Sequence, residues 1–213
     1  MRIGKYRINN AVLPLVVINV VVFLLQIIIG NGFTEMFMLI SSDIFTRPWI
    51  LLTSMFLHGG PFHLFFNMYV LFMFGTLLEN RIRTGKFLAL YFLSGIFASF
   101  VASFFYSRAL GASGAIFGIL GAIVILIPNL KVMPLFIPVP MDLWKALLIF
   151  TILDIFFFSN IAVMAHIAGG VFGVLFGLYF QKKQKVRIYK KPHSPGTHMT
   201  SEDIEDYLRR GRI

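Results

Sequence analysis

The sequence predicts an all-α fold: a polytopic membrane protein, built as a six-transmembrane-helix bundle whose fourth helix is short. Three observations predict it. Of 213 residues, 58% are apolar and only 13% charged, against about 45–50% and about 25% in soluble domains. The apolar excess is gathered into blocks of about 15 to 23 residues almost free of charge, the length of membrane spans. Of the 19 Lys and Arg, all but Arg47 and Arg108 fall on segments that such spans would leave on one side of a membrane.

The first span covers Ala11 to Ile29, behind a short basic stretch, residues 1–10, that holds Arg2, Lys5 and Arg7. Its apolar run is too long for a signal peptide and no small-x-small cleavage site follows, so it reads as a retained anchor. The second runs from about Phe62 to Leu78 and the third from about Phe87 to Tyr106. The fourth, Ser113 to Ile127, is stopped by Pro128; the fifth runs from Leu143 to Phe158 and the sixth from Ile161 to Phe180. Together they make a membrane domain over 11–180. The long connection 30–61 mixes apolar runs with Glu35, Asp43 and Arg47, and Pro48 and Gly59-Gly60-Pro61 break it. It is expected to rest in the outer interface rather than to form a seventh span.

A polar basic tail, residues 181–213, ends the chain, and Ser201-Glu202-Asp203 offers the cap of a short surface helix ending in Arg209 and Arg210. Basic residues in the N-terminal stretch, the second connection (Arg81, Arg83, Lys86), the fourth (Lys131, Lys145) and the tail put both termini in the cytoplasm, with the protein multi-pass in the cell membrane. Lys182, Lys183, Lys185, Arg187, Lys190 and Lys191 would also attract anionic lipid headgroups, by about 1 kcal/mol per charge near the surface. The net charge of +10 does not point to nucleic acid, because no basic and aromatic residues interleave outside the apolar blocks. With no cysteine there is no disulfide, thiolate metal site or cysteine nucleophile. No metal or other cofactor is expected.

Topology turns spacing into depth. His63 and Asn67, four apart, share one face in the first turns of the second span. His166 lies about five residues, or ~8 Å, below the outer end of the sixth. The fourth span is short enough that Ser113 opens it roughly 8 Å beneath the outer face. Three segments thus bring a serine, two histidines and an asparagine to one level, where buried polar groups are costly and by default mark function. Gly111-Ala112-Ser113-Gly114 is read as non-helical backbone, tolerated at membrane depth only if packed in protein or lining a water-filled cavity. The helix start supplies free N–H groups and a positive dipole end for a developing oxyanion. Ser113 is the candidate nucleophile and His166 its general base, with His63, Asn67 and the Ser113 N–H as the oxyanion hole. Gly114 and Gly118 on the fourth span, and Gly169, Gly173 and Gly177 with Gly170 on the sixth, permit close helix contact.

These residues resemble the rhomboid intramembrane serine proteases over roughly residues 45–180. The likeness rests on His58-x4-His63-x3-Asn67, on Gly75 to Glu79 with Asn80-Arg81, on Gly111-Ala112-Ser113-Gly114, and on Ala165-His166-x3-Gly170. It implies cleavage of single-pass transmembrane proteins near their outer ends, by a Ser113–His166 dyad without a third acid and with His63 and Asn67 as oxyanion donors. His58 would be structural or supporting. Two departures stand out. Many members have Trp-Arg in the first connection, where this chain has Trp49-Ile50 with Arg47 upstream. Many also have Tyr four residues after the nucleophile, stacked on the histidine, where this chain has Phe117.

Other readings weigh against these. Ser113 alone is an ordinary helix start, and His63 and Asn67 alone are helix–helix glue. Asp154, inside the fifth span near the depth of His166, is a conceivable triad acid but reads better as a cavity-rim or interhelical group. Phe156-Phe157-Phe158 suits a loosely packed, lipid-facing helix. Zinc and aspartyl intramembrane proteases need HExxH or two membrane aspartates, and the chain has neither. The competing functions are an inactive rhomboid-like factor that binds and routes membrane proteins, and a small transporter or channel, for which charged residues along a pore and repeated halves with interrupted helices are missing.

Overall fold

Each of the six apolar segments is helical in the computed structural model, which describes residues 2–3, 6–7, 11–133, 139–157 and 162–189. Helix α1 is Val12–Ile29 and a short α2, Asn31–Phe37, follows it. A single turn, α3 (Ile50–Thr53), lies in the long connection. The second span is α4 (Pro61–Val70) and α5 (Thr76–Ile82), joined by one π-helical turn at Leu71–Gly75. Then come α6 (Thr84–Ala102), α7 (Ser113–Leu126), α8 (Leu143–Phe157) and α9 (Val163–Tyr189). Among the described residues α1, α4–α5, α6 and α9 are long and apolar enough to cross a membrane, while α7 is the short apolar helix that the sequence predicts. The chain divides into two compact units, Met1–Gln181 and Lys182–Ile213, and of the second only the last turns of α9 are described. The tail helix expected at Ser201, the side chain of Asp154 and the ring of Phe158 lie outside the described residues.

Helix α1 buries a single stripe, Val12, Leu15, Asn19, Phe23 and Gln26, at helical spacing. Its other faces leave Val17, Val21, Leu24 and Ile28 exposed. Exposed apolar faces recur on α4, α6 and α9 (Phe65, Phe97, Leu175). No soluble surface would carry so many, and a bilayer solvates them at no cost, so this is a membrane protein. Helix α7 is buried from Gly114 to Ile123 save for the half-buried Phe117, and forms the centre of the unit. Around it the core is Leu71, Leu78, Phe87, Leu90, Tyr91, Ile119 and Ile123. Three ends differ from the expectation. Helix α5 runs on past Leu78 to Ile82. Helix α6 ends at Ala102 in a turn, short of Tyr106, and α9 runs beyond Phe180 to Tyr189 because Gln181 to Arg187 are good helix formers with no breaker among them.

The connection 30–61 is ordered by polar bonds rather than by a long helix. Leu39 and Ile40 pair antiparallel with Ala109 and Arg108. Arg47 bonds the Asp43 carboxylate and donates to the Glu35 carbonyl at 3.4 Å. Arg108 pairs with the Glu35 side chain at 3.1 Å. At the sequence departure Trp49-Ile50, it is thus an arginine three residues before Ile50 that ties this connection together. With the Ser42 hydroxyl, Arg47 holds the Asp43 carboxyl below the usual carboxylate range.

At the other end of the unit Glu79 is the hub. It is 1% exposed, and its carboxylate accepts the N–H groups of Ala11 at 3.0 and 3.1 Å and Val12 at 3.3 Å. It also accepts the Thr84 hydroxyl at 2.8 Å. One side chain thus caps the N-terminus of α1, where helix N–H groups lack partners, and pins the start of α6. Arg83, with φ +75°, makes the sharp turn between α5 and α6. Glu79→Ala should destabilise the protein by about 3 kcal/mol, since several donors lose a charged acceptor at once. Glu79→Gln should cost less. Unfolding in detergent measured by denaturant titration checks both, and an unchanged Ala variant would show that the hub is not needed.

Candidate active site

Ser113 stands at the first turn of α7, half-buried. The backbone before it is shaped by Gly111, whose φ of +127° few other residues adopt. Its N–H is held by the Ser54 carbonyl at 2.9 Å, so the long connection steers this turn. A Cβ on Gly111 would lie 2.9 Å from His63 Cε1 and 3.0 Å from Nε2, and 3.7 Å from Ser113 Oγ. The glycine is therefore required twice, for its backbone angle and for the space that His63 fills. One expectation is corrected here. The motif is not non-helical throughout: Ala112 already has helical angles, and Ser113 and Gly114 belong to α7, because the Ala112 carbonyl accepts the Ile116 N–H at 3.0 Å. Only Gly111 departs from the helix.

Helices α7 and α9 meet backbone to backbone. A Cβ on Gly169 would fall 2.0 Å from the Gly114 carbonyl oxygen, and one on Gly173 would fall 1.9 Å from that of Gly118. On its other side α7 meets α6 as closely: a Cβ on Gly114 would lie 2.5 Å from Ala98 Cβ, and one on Gly118 2.3 Å from Ser94 Oγ. Small residues on three helices let the backbones approach as larger ones could not. Gly170 differs from its neighbour, since its nearest atom, the Phe117 carbonyl oxygen, is 4.0 Å from a built Cβ.

That contact sets the histidine. His166 is 6% exposed, and its ring lies flat on Phe117, with centroids 4.3 Å apart and planes 8° from parallel. Ser113 and Phe117 are four apart on α7, so serine and ring share a helix face and His166 is placed one turn along from Ser113. The phenyl ring makes this stack without a hydroxyl. His166 and Phe117 also open onto an apolar cleft of about 400 Å³ between α7, α8 and α9. Ser113, Gly111 and Gly114 instead line a separate cavity of about 20 Å³ against Ala98 and Ala165, which is large enough for a single water. The start of α9 is held by Tyr106, whose hydroxyl accepts the Met164 N–H at 3.2 Å.

His63 and Asn67 lie on α4, which packs on α7. Asn67 is buried, and its Nδ2 donates to the His63 carbonyl at 3.0 Å, leaving the second amide proton for another acceptor. The Gly59 N–H donates to His63 Nδ1 at 3.3 Å. A nitrogen that accepts carries no proton, so the ring proton is on Nε2, the atom beside Gly111. His58, 2% exposed, stands edge-on to His63 with centroids 5.1 Å apart. Its ring nitrogens make no hydrogen bond of normal length, with the Phe56 backbone a longer-range neighbour. Burial, with repulsion from His63, pushes its imidazole down to about 3 and keeps it neutral. The structure thus joins Gly111, Ser113 and His63 on one side and Phe117 with His166 on the other, while His58 meets the site through His63. One residue at this end escaped the sequence reading: Gln26, bonded to the His58 backbone. Its signal was there, since Gln26 and Asn19 are seven apart in an apolar span and so share a face.

The family model described as the Rhomboid domain matches residues 46–183. Rhomboid protein 1, mitochondrial, of Saccharomyces cerevisiae is 34% identical over 199 residues, 86% of this chain and 58% of that protein. Rhomboid protease GluP of Bacillus subtilis is 48% identical over 77 residues, 35% of this chain and 15% of that protein. YdcA of the same organism is 36% identical over 141 residues, 64% of this chain and 70% of that protein. The chain thus spans little more than half of the yeast relative and a small part of GluP.

The adjacent glycines give a sharp contrast. Gly169→Ala should destabilise by about 2 kcal/mol or more, because α7 and α9 must separate. Gly170→Ala should stay within about 1 kcal/mol of the parent. Thermal unfolding of the two purified variants checks it, and equal losses would mean that the helices do not touch at Gly114.

Proposed function

The chain belongs to the rhomboid family, and from that premise we propose that it is an intramembrane serine endopeptidase using Ser113 and His166. The observation that carries the reading is the α7–α9 join, which sets the His166 ring on Phe117, one helical turn from Ser113 and on the same face. His166 takes the Ser113 hydroxyl proton as Oγ attacks the scissile carbonyl, and later gives it to the leaving amine. The oxyanion is met by N–H groups at the start of α7, the Asn67 amide and His63 Nε2–H. Water then attacks the acyl-enzyme, with His166 again as base. Gly111 and Gly114 shape the nucleophile's turn, and Phe117 and Gly170 flank the histidine.

The substrates are single-pass transmembrane proteins, cut near the end of the span that lies level with Ser113. Both termini of the enzyme face the cytoplasm, by the bias of Lys and Arg, and the basic tail meets anionic lipid. A substrate helix must unwind to present an amide to Ser113, so helix-weakening Gly or Pro near the cut favours cleavage.

Incubation of the purified protein with single-span test substrates, and sizing of the fragments by mass spectrometry, tests the mechanism. Wild type should cleave, and Ser113→Ala and His166→Ala should each lose about 10³-fold or more while folding normally. Cleavage by Ser113→Ala at the wild-type rate would remove the serine assignment. No cleavage by any form, with test substrate still retained, would favour the binding-and-routing relative. Replacing helix-weakening residues of a cleaved substrate with Leu should slow the reaction several-fold, and equal rates would rule out unwinding as a requirement.

A further inference from the structure

We propose that Gln26 of α1 is a positioning residue for His63, acting through the peptide that joins His58 to Gly59; this rests on the oxyanion role given to His63 above. Gln26 lies outside residues 46–183, the stretch that the family model matches. It is 9% exposed, in the buried stripe of α1. Its side-chain amide is paired with both backbone groups of one residue, as a neighbouring strand would be. The His58 N–H donates to Gln26 Oε1 at 2.9 Å, and Gln26 Nε2 donates to the His58 carbonyl at 3.3 Å. The second Nε2 proton goes to Thr34 Oγ1 at 3.2 Å. All the donor capacity of the amide is committed.

The consequence follows from the planarity of the peptide. The His58 carbonyl and the Gly59 N–H belong to the same unit, which is planar and trans, so they point in opposite directions. Holding the carbonyl on Gln26 therefore aims the Gly59 N–H away from α1, and it meets His63 Nδ1 at 3.3 Å. Nothing else local would fix this plane, since Gly59-Gly60 is the most permissive pair a chain can offer. Were the unit to turn over, a carbonyl would face Nδ1 and draw the ring proton there. His63 Nε2, beside Gly111 and Ser113, would then be an acceptor and could not bind an oxyanion. Gln26 thus decides which nitrogen of His63 carries the proton. Thr34 is only the second anchor of the amide and is not in line with His63.

The test is a double-mutant cycle on the full chain in detergent, read as kcat and KM on a single-span substrate and as the rate of Ser113 labelling by a fluorophosphonate. Gln26→Met should lower kcat and labelling about 10- to 100-fold, the range of losing one oxyanion donor, with KM changed less than about 2-fold. Thr34→Val should stay within about 3-fold of wild type. In a His63→Ala background, Gln26→Met should cost no further activity, because its only route to the chemistry is gone. A structural role would instead show the same loss in both backgrounds, and that result, or wild-type kcat in Gln26→Met, overturns the proposal. Full activity in His63→Ala would overturn the oxyanion assignment and this inference with it, so the two failures are told apart. A further measurement needs no variant. The ¹⁵N spectrum of histidine-labelled wild type should show His63 protonated at Nε2; protonation at Nδ1 overturns the proposal even if Gln26→Met does not fold.

Discussion

The contact on which the rest depends is that of two helix backbones with no side chains between them. Gly169 and Gly173 of α9 lie against the carbonyls of Gly114 and Gly118 of α7, at separations a single methyl group would abolish. Helices in a bilayer gain nothing from the hydrophobic effect by associating, because lipid tails are as apolar as leucine. What holds them is dispersion, which needs surfaces that fit, and glycine gives the flattest surface. The same rows that bind α9 to α7 set the register in which His166 reaches Phe117. Stability and site geometry are one interaction here, and a residue that widened the join would move the proposed base away from the proposed nucleophile.

Polar groups do the complementary work at the two ends of α1. Glu79 closes its N-terminus and ties it to the start of α6. Gln26 clasps the backbone at His58 near its C-terminus. Between them Asn19 is buried, its Nδ2 donating to the Leu15 carbonyl within α1 at 2.8 Å. In water such bonds would compete with solvent, whereas in an apolar interior each unmade bond costs its full desolvation. Glu79 and Gln26 thus fix the two ends of a helix whose buried stripe is otherwise mostly apolar, Val12, Leu15 and Phe23.

The long connection shows how an irregular segment becomes a rigid part of the site. Arg47 and Arg108 bind Asp43 and Glu35, the Leu39 and Ala109 strands pair, and Ser54 holds the Gly111 N–H. The turn before Ser113 is thus set by residues some sixty positions earlier. Sequence reading placed this segment at the site's end of the bundle and recognised that it is no span. It did not see the bonds. Arg47 and Asp43 are only four residues apart, but the other bonds join residues far apart in the chain, and such partners cannot be read from a residue's own neighbourhood.

Hydropathy alone determined that the chain lies in a membrane, where most of its helices begin and end to within a few residues, though not the end of α9, and that Ser113, His63, Asn67 and His166 come from three apolar segments. It could do so because the bilayer leaves so little choice: apolar runs must be helical, and polar residues within them must be buried. Which nitrogen of His63 accepts the Gly59 N–H, which of two adjacent glycines has no room for a Cβ against α7, and that Gln26 bonds the His58 backbone were decided only by the tertiary structure. Each depends on the rotation of one element about its axis or the tilt of one peptide plane. Those angles are fixed by contacts between distant segments, and no local pattern in the sequence encodes them.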